Sequence, residues 1–104
     1  MNSVTSDIGT LPLHDAIVQE IRICWNQKQV VLTLDVFLNP KLKAKPCELI
    51  FYGVTNIEIS HYAPWGESSC INAVRFEENN FRIEMQTGDI LSIEASSYEF
   101  QELP

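Results

Sequence analysis

The stretch FRIEMQTGDILSIEA, residues 81–95, decides the fold. Apolar residues occupy every second position on both sides of a Thr87-Gly88-Asp89 break. That is the period of a pleated strand with one buried face, not the 3.6-residue period of a helix. Folded back about the break, the segment predicts a hairpin with Met85 opposite Leu91, Ile83 opposite Ile93 and Arg82 opposite Glu94. Gly88 is available for the positive φ that a tight turn demands.

The alternation continues outward. In AIVQEIRICW, residues 16–25, Ile17, Ile21, Ile23 and Trp25 share one face and Glu20 and Arg22 the other. In VVLTLDVFL, residues 30–38, Val30, Leu32, Leu34, Val36 and Leu38 alternate with Thr33 and Asp35. A four-residue loop at Asn26-Gln27-Lys28-Gln29 sets Trp25 opposite Val30, Ile23 opposite Leu32, Ile21 opposite Leu34 and Arg22 opposite Thr33. NPKLKAKP, residues 39–46, with two prolines and three lysines, reads as an exposed loop. CELIFYG and VTNIEIS read as two short strands hinged at Gly53, or as one bent strand with a bulge there. SCINAVRF adds a strand closed by the polar turn Glu77-Glu78-Asn79-Asn80, and SYEFQEL adds an edge strand near the end.

These segments predict an all-β, mainly antiparallel protein. Seven or eight short strands in a meander form a β-sandwich or a strongly curled sheet, with at most one short helical turn, at Pro12-Leu13-His14-Asp15-Ala16. Residues 1–10 are expected to be a flexible segment and residues 11–104 a single β domain. Ile21, Ile23, Leu32, Leu34, Ile83, Met85, Leu91 and Ile93 are expected to face the core.

A chain of 104 residues with 45% apolar content has enough apolar side chain for one core. The first 47 residues carry four acids and five bases, a net of +1. The remaining 57 carry ten acids against Arg75 and Arg82, a net of −8. Such a field repels nucleic acid and attracts a basic partner. No window approaches the roughly 18 consecutive apolar residues of a membrane helix, and MNSVTSDIGT has neither the basic start nor the apolar core of an export signal, so the expected compartment is the cytoplasm. Cys24, Cys47 and Cys70 form no CxxC pair and are expected to be reduced thiols. Their even spacing is not a repeat, because the flanking sequences do not align.

Catalytic patterns are sparse. His14-Asp15 has the dipeptide of metal phosphohydrolases, but only one other histidine, His61, is present and the dipeptide precedes a strand, so no metal site is expected. Ser68, Ser69 and Cys70 lack a glycine elbow, and the four glycines are solitary, which leaves neither a nucleophile motif nor a phosphate loop. The densest cluster of unusual residues is HYAPWGESSCI, residues 61–71. Proline, glycine and serine in this spacing connect two strands. Trp65 is expected to close one end of the core, the alternative being an exposed anchor for a partner, with Tyr62 and Glu67 on the contact surface.

The segments LHDAIVQEIRICW, FYGVTNIEI, PWGESSCINAVRFE and IEMQTGDILSIEA together resemble a group of small bacterial proteins. These share a Leu-His-Asp-Ala opening, a Pro-Trp-Gly-x-Ser segment leading to Ile-Asn, and a Gln-x-Gly-Asp hairpin. The likeness spans about residues 11–95, and some members resemble immunity proteins of bacterial polymorphic toxin systems. The resemblance implies His14, Asp15, Pro64, Trp65, Gly66, Ser69, Asn72, Gly88 and Asp89 as positions of interest.

The expectation is therefore a non-enzymatic binding protein without cofactor or metal, of immunity-like type, whose partner is a basic protein domain. Its expected binding residues are His14, Asp15, His61, Tyr62, Trp65, Glu67, Ser69 and Asn72. A self-associating module forming a homodimer, and a small-molecule binder with a pocket near Trp65, are the alternatives. Neither nucleic acid nor membrane is an expected partner.

Overall fold

The alternation of residues 81–93 is realised without a break: Phe81, Ile83, Met85, Thr87, Asp89, Leu91 and Ile93 are all buried, and the residues between them are half-exposed. In the computed structural model, which describes residues 5–39 and 41–104, this segment lies within one of two antiparallel sheets. The strands are β1 (Ile17–Cys24), β2 (Gln29–Val36), β3 (Lys45–Tyr52), β4 (Asn56–Ile59), β5 (Ile71–Glu77), β6 (Asn80–Met85), β7 (Ile90–Glu94) and β8 (Ser97–Glu102). The first sheet has the order β1-β2-β3-β8 and the second β4-β7-β6-β5. The protein is thus a β-sandwich. Each sheet contains a three-strand meander, β1-β2-β3 or β5-β6-β7, while β4 and β8 leave the meander to pair with β7 and β3.

Aromatic rings stitch the two layers together. Phe81 of β6 lies 5.0 Å from Phe51 of β3, 4.8 Å from Phe76 of β5 and 5.7 Å from Tyr98 of β8, centroid to centroid. Leu32, Leu34, Leu49, Ile71 and Ile83 fill the space around them. Gly53 marks a crossing between sheets and not a bulge in one strand: its φ is +64°, and a Cβ there would collide with the Ser96 hydroxyl. The β3–β4 and β7–β8 connections pass each other at this point, where Ser96 N donates to Tyr52 O at 2.9 Å.

Both expected hairpin registers are displaced by one residue of loop. The β1–β2 loop comprises Trp25 to Lys28, so Ile21 pairs with Leu32, Ile23 with Val30 and Arg22 with Val31. Lys28 takes the positive φ of 53° and its N–H closes the turn onto Trp25 O at 3.2 Å. The β6–β7 loop comprises Gln86 to Gly88, so Ile83 pairs with Leu91, Phe81 with Ile93 and Arg82 with Ser92. Met85 N donates to Asp89 O at 2.8 Å and Gly88, with φ 93°, donates to Met85 O at 2.9 Å. Sliding a loop by one residue moves its pairing by two, so every side chain keeps its face. The β5–β6 turn is the tightest, with Glu78 and Asn79 both at positive φ (53° and 65°), as a two-residue hairpin of matching twist requires.

Four other expectations need correction. Ile23 is 50% exposed and Trp25 86% exposed. β1 is an edge strand whose far end extends beside β4, a strand of only four residues, and finds little cover there. The short helical element is a 3-10 helix at Thr5–Thr10, upstream of Pro12, whereas Asp15 adopts a φ of 69° that no helix allows. Packing also begins before residue 11, because Ile8 is fully buried in the core; residues 1–4 of the expected flexible segment lie outside the described residues. Of the expected loop 39–46, Lys45 and Pro46 belong to β3, and Pro40 lies outside the described residues.

Candidate functional site: a pinned arch over the β6–β7 turn

β4 and β5 are opposite edges of the second sheet, so the chain between them, residues 60–70, must cross one whole end of it. That crossing is HYAPWGESSC. It passes over the β6–β7 turn, and the turn holds it from beneath. The inward phase of the alternation carries Thr87 and Asp89 into the interior, where they are 4% and 3% exposed. The Asp89 carboxylate accepts hydrogen bonds from Tyr62 N at 2.6 Å, Ala63 N at 2.9 Å and the Thr87 hydroxyl at 2.7 Å. Burial pushes the Asp89 carboxyl up, but the bonds from Thr87, Tyr62, Ala63 and Ser60 outweigh it and hold the group below the usual carboxylate range.

The arch gains two further ties. Trp65 N donates to Thr87 O at 3.0 Å, and Gly66 N donates to Ala63 O at 3.2 Å. Ala63 sits at φ 49°, a strained value for a side-chain-bearing residue, and the grip of Asp89 on its N–H offsets that cost. The indole of Trp65 lies on the bare Cα of Gly88: a Cβ built there would stand 2.8 Å from Trp65 Cε3 and 3.0 Å from Pro64 Cγ. Trp65 nevertheless remains 77% exposed and Tyr62 86%. The expectation that Trp65 closes the core is thereby overturned. Gly88 gives the ring a seat on the outside of the turn, while Met85 and Leu91 are buried.

The other expected site residues form a second group beside the first. Asp15 N donates to Ile71 O and Ile71 N to Ala16 O, both at 2.8 Å, so the entry to β1 is stitched to the entry to β5. His14 Nδ1 donates to Asn72 O at 2.7 Å, a carbonyl that can only accept, which turns Nε2 toward Asp15 Oδ1 at 3.6 Å. Gln86 Nε2 donates to Asp15 Oδ1 at 2.6 Å, and Asn72 Nδ2 to Glu84 Oε1 at 2.7 Å. Ser69 contributes its carbonyl to Val18 N at 2.8 Å. His61 and Ser69 stand at the rim of a cavity of about 210 Å³ whose wall includes Thr87 and Asp89. Glu67 is exposed beyond the Gly66 turn.

Three of the four segments of the sequence resemblance therefore meet at one end of the sandwich, whereas FYGVTNIEI begins beside the β1–β2 turn, where Val54 N donates to Lys28 O. Gln86 holds the His14-Asp15-Asn72 group and Thr87-Gly88-Asp89 holds the arch. Sequence reasoning missed Glu84, Gln86 and Thr87 as members of this network. The signal was present: Thr87 and Asp89 continue the inward phase of Phe81, Ile83 and Met85, and a buried polar residue needs partners. The Asp89 carboxylate is engaged in holding backbone, and the Asp15 and Glu84 carboxylates accept from the side-chain amides of Gln86 and Asn72. Among the described residues, no three His, Cys, Asp or Glu side chains are grouped as a metal site.

No family model and no curated protein matches the chain. Among solved structures it is similar to the crystal structure of an uncharacterized protein from Neisseria gonorrhoeae, with a TM-score of 0.58 and 16% identity. The alignment covers 86% of this chain and 93% of that one, so what the two share is the fold.

Proposed function

We propose that the protein is a non-catalytic binding module that docks a basic protein partner through the arch, as an immunity protein covers a toxin domain. One observation carries this reading: Tyr62 and Trp65 are 86% and 77% exposed on a backbone pinned by a buried carboxylate. Exposed aromatic rings on a fixed backbone lose little freedom on binding and are the commonest energetic anchors of interfaces. The net charge of −7, concentrated as −8 in residues 48–104, adds long-range attraction for a basic surface.

The alternatives are less well supported. A small-molecule site near Trp65 would have to use the cavity of about 210 Å³. That is below the roughly 300–1,000 Å³ of ordinary ligand pockets. Self-association would bring together two copies each carrying −7.

The test is co-expression with the products of the genes flanking its own, followed by calorimetry of any complex at low and high salt. The expected result is a complex that weakens with salt and loses about 2 kcal/mol or more in Trp65→Ala or Tyr62→Ala, with melting temperatures unchanged. A complex indifferent to both substitutions and to salt would refute the reading.

A further inference from the structure

A second feature adjoins the arch at one end and runs away from it, in the gap between the two sheets. β1 ends the first sheet and β4 ends the second, and these strands face each other without pairing. Two cavities mark the space between them. One, of about 500 Å³, has Ile23 and Trp25 on one wall and Val54 and Ile57 on the other. The second, of about 210 Å³, has Val18 and Ile21 facing Ile59 and His61. Residue numbers rise along β1 as they fall along β4, so the two edges run antiparallel on either side of a slot that holds both cavities.

The slot is tied at both ends. The β1–β2 turn is tied to the β3–β4 connection by Val54 N donating to Lys28 O at 2.9 Å, and Val18 N is already bonded to Ser69 O at 2.8 Å. Between those ties, residues 20–24 of β1 and 56–59 of β4 present unpaired sheet edges toward the slot. Sheet edges are normally guarded by proline, a bulge or an inward charge. Here the bulge lies between Val18 and Glu20, at the end tied to Ser69, and the inward positions are Ile21, Ile23, Ile57 and Ile59. Ile23 and Ile59 are each about half exposed, at 50% and 46%.

We propose that this slot accepts an extended segment of another protein as an added strand between β1 and β4, and that the segment alternates apolar with basic residues. The pleat sets the alternation: inward side chains meet the four isoleucines, outward ones stand in solvent. Charge sets the basic character. On the solvent side Arg22 is engaged by Glu20 at 3.2 Å and Glu48 at 3.8 Å, whereas Glu58 has no cation partner among the described residues. A second copy of the chain would bring another −7 to an already acidic surface. The proposal rests on the slot and does not depend on the role of Trp65.

The probe is a capped seven-residue peptide alternating lysine with valine, titrated into the protein while backbone amide resonances are followed. The expected shifts fall on residues 20–24 and 56–59, with affinity reduced at least tenfold in Ile23→Glu and by proline at the central peptide position. Trp25→Ala, at a fully exposed turn, serves as a second variant should Ile23→Glu lose its native spectrum, and is expected to weaken binding several-fold. Absence of binding at millimolar peptide would overturn the proposal. So would equal binding of a glutamate–valine peptide, shifts confined to residues 61–66 or to β8, or a dimer of the protein alone that Ile23→Glu dissolves.

Discussion

The two tryptophans stand at two differently built places. Trp65 is 77% exposed and Trp25 86%, so solvent exposure alone hardly separates them. Their mountings do. Trp65 rests on Gly88, its own N–H is bonded to Thr87 O, and the two residues before Pro64 are gripped by the buried Asp89. Trp25 opens a turn held by Lys28 N to Trp25 O at 3.2 Å and Val54 N to Lys28 O at 2.9 Å. One ring is presented by a rigid corner rooted in the interior, the other by the end of a hairpin beside an unfilled slot. Exposure shows what a partner can reach, and the backbone support determines how much freedom is lost when it binds.

The comparison is broken most thoroughly by removing what both ends share. Phe81 is fully buried and touches rings from β3, β5 and β8. Phe81→Ala is expected to cost about 3–5 kcal/mol in denaturant melts and to loosen both ends together. A loss that leaves one end protected in amide exchange would show that the two corners fold as separate units.

Gly88→Ala attacks only the Trp65 side. The residue needs φ 93°, and the added methyl would meet Trp65 and Pro64 at about van der Waals overlap, 2.8 and 3.0 Å. A cost of about 1–3 kcal/mol is expected, with Trp65 fluorescence altered in a Trp25→Phe background and the β1–β2 turn untouched.

Acid should separate the ends as well. The Asp89 carboxyl is held low in the folded protein, so its contribution is fully present above the unfolded value of about 3.9 and is lost as pH falls through the folded value. As pH falls below about 4 the arch is expected to loosen before the Trp25 turn does. Asp89→Asn places an NH₂ group among the N–H donors of Tyr62 and Ala63, so it should lower the melting temperature at neutral pH and flatten the acid dependence. An unchanged acid limb in that variant would mean that Asp89 does not hold the arch.

Legibility in the sequence follows the same division. The face of nearly every strand residue was readable, because period-2 alternation survives a loop that slides by one residue. The registers were not, because turn geometry chose them: Lys28 takes a positive φ that nothing in its side chain announces, and the Gln86–Gly88 loop starts one residue early with Asp89 paired to Met85. Ile23 was assigned to the core because alternation says which way a side chain points. It does not say whether another strand lies there, and β4, only four residues long, does not pair with β1. HYAPWGESSCI was legible as a connection between strands. That it spans from one edge of the second sheet to the other depends on strand order, which is a long-range property. Trp65 was misplaced for a related reason: a large ring beside a glycine turn was expected inside, and the glycine supplies its seat from the outside.

The smallest effects are the sharpest test of the two mountings. Trp65→Ala and Trp25→Ala each remove a ring that is mostly in water, so each should change folding stability by no more than about half a kcal/mol. Their differences should appear elsewhere. The Trp65 indole has one face against Gly88, so in a Trp25→Phe background its emission should respond to Gly88 substitution and to acid, and it should show restricted motion in time-resolved anisotropy. Trp25, alone in a Trp65→Phe background, should emit as a freely hydrated indole and depolarise faster. If the two reporters have equal anisotropy decays, the buried Asp89 and the Gly88 seat do not stiffen the arch. Trp65 would then be no better prepared for a partner than Trp25, and the reading of residues 61–71 as a presented binding surface would fail with it.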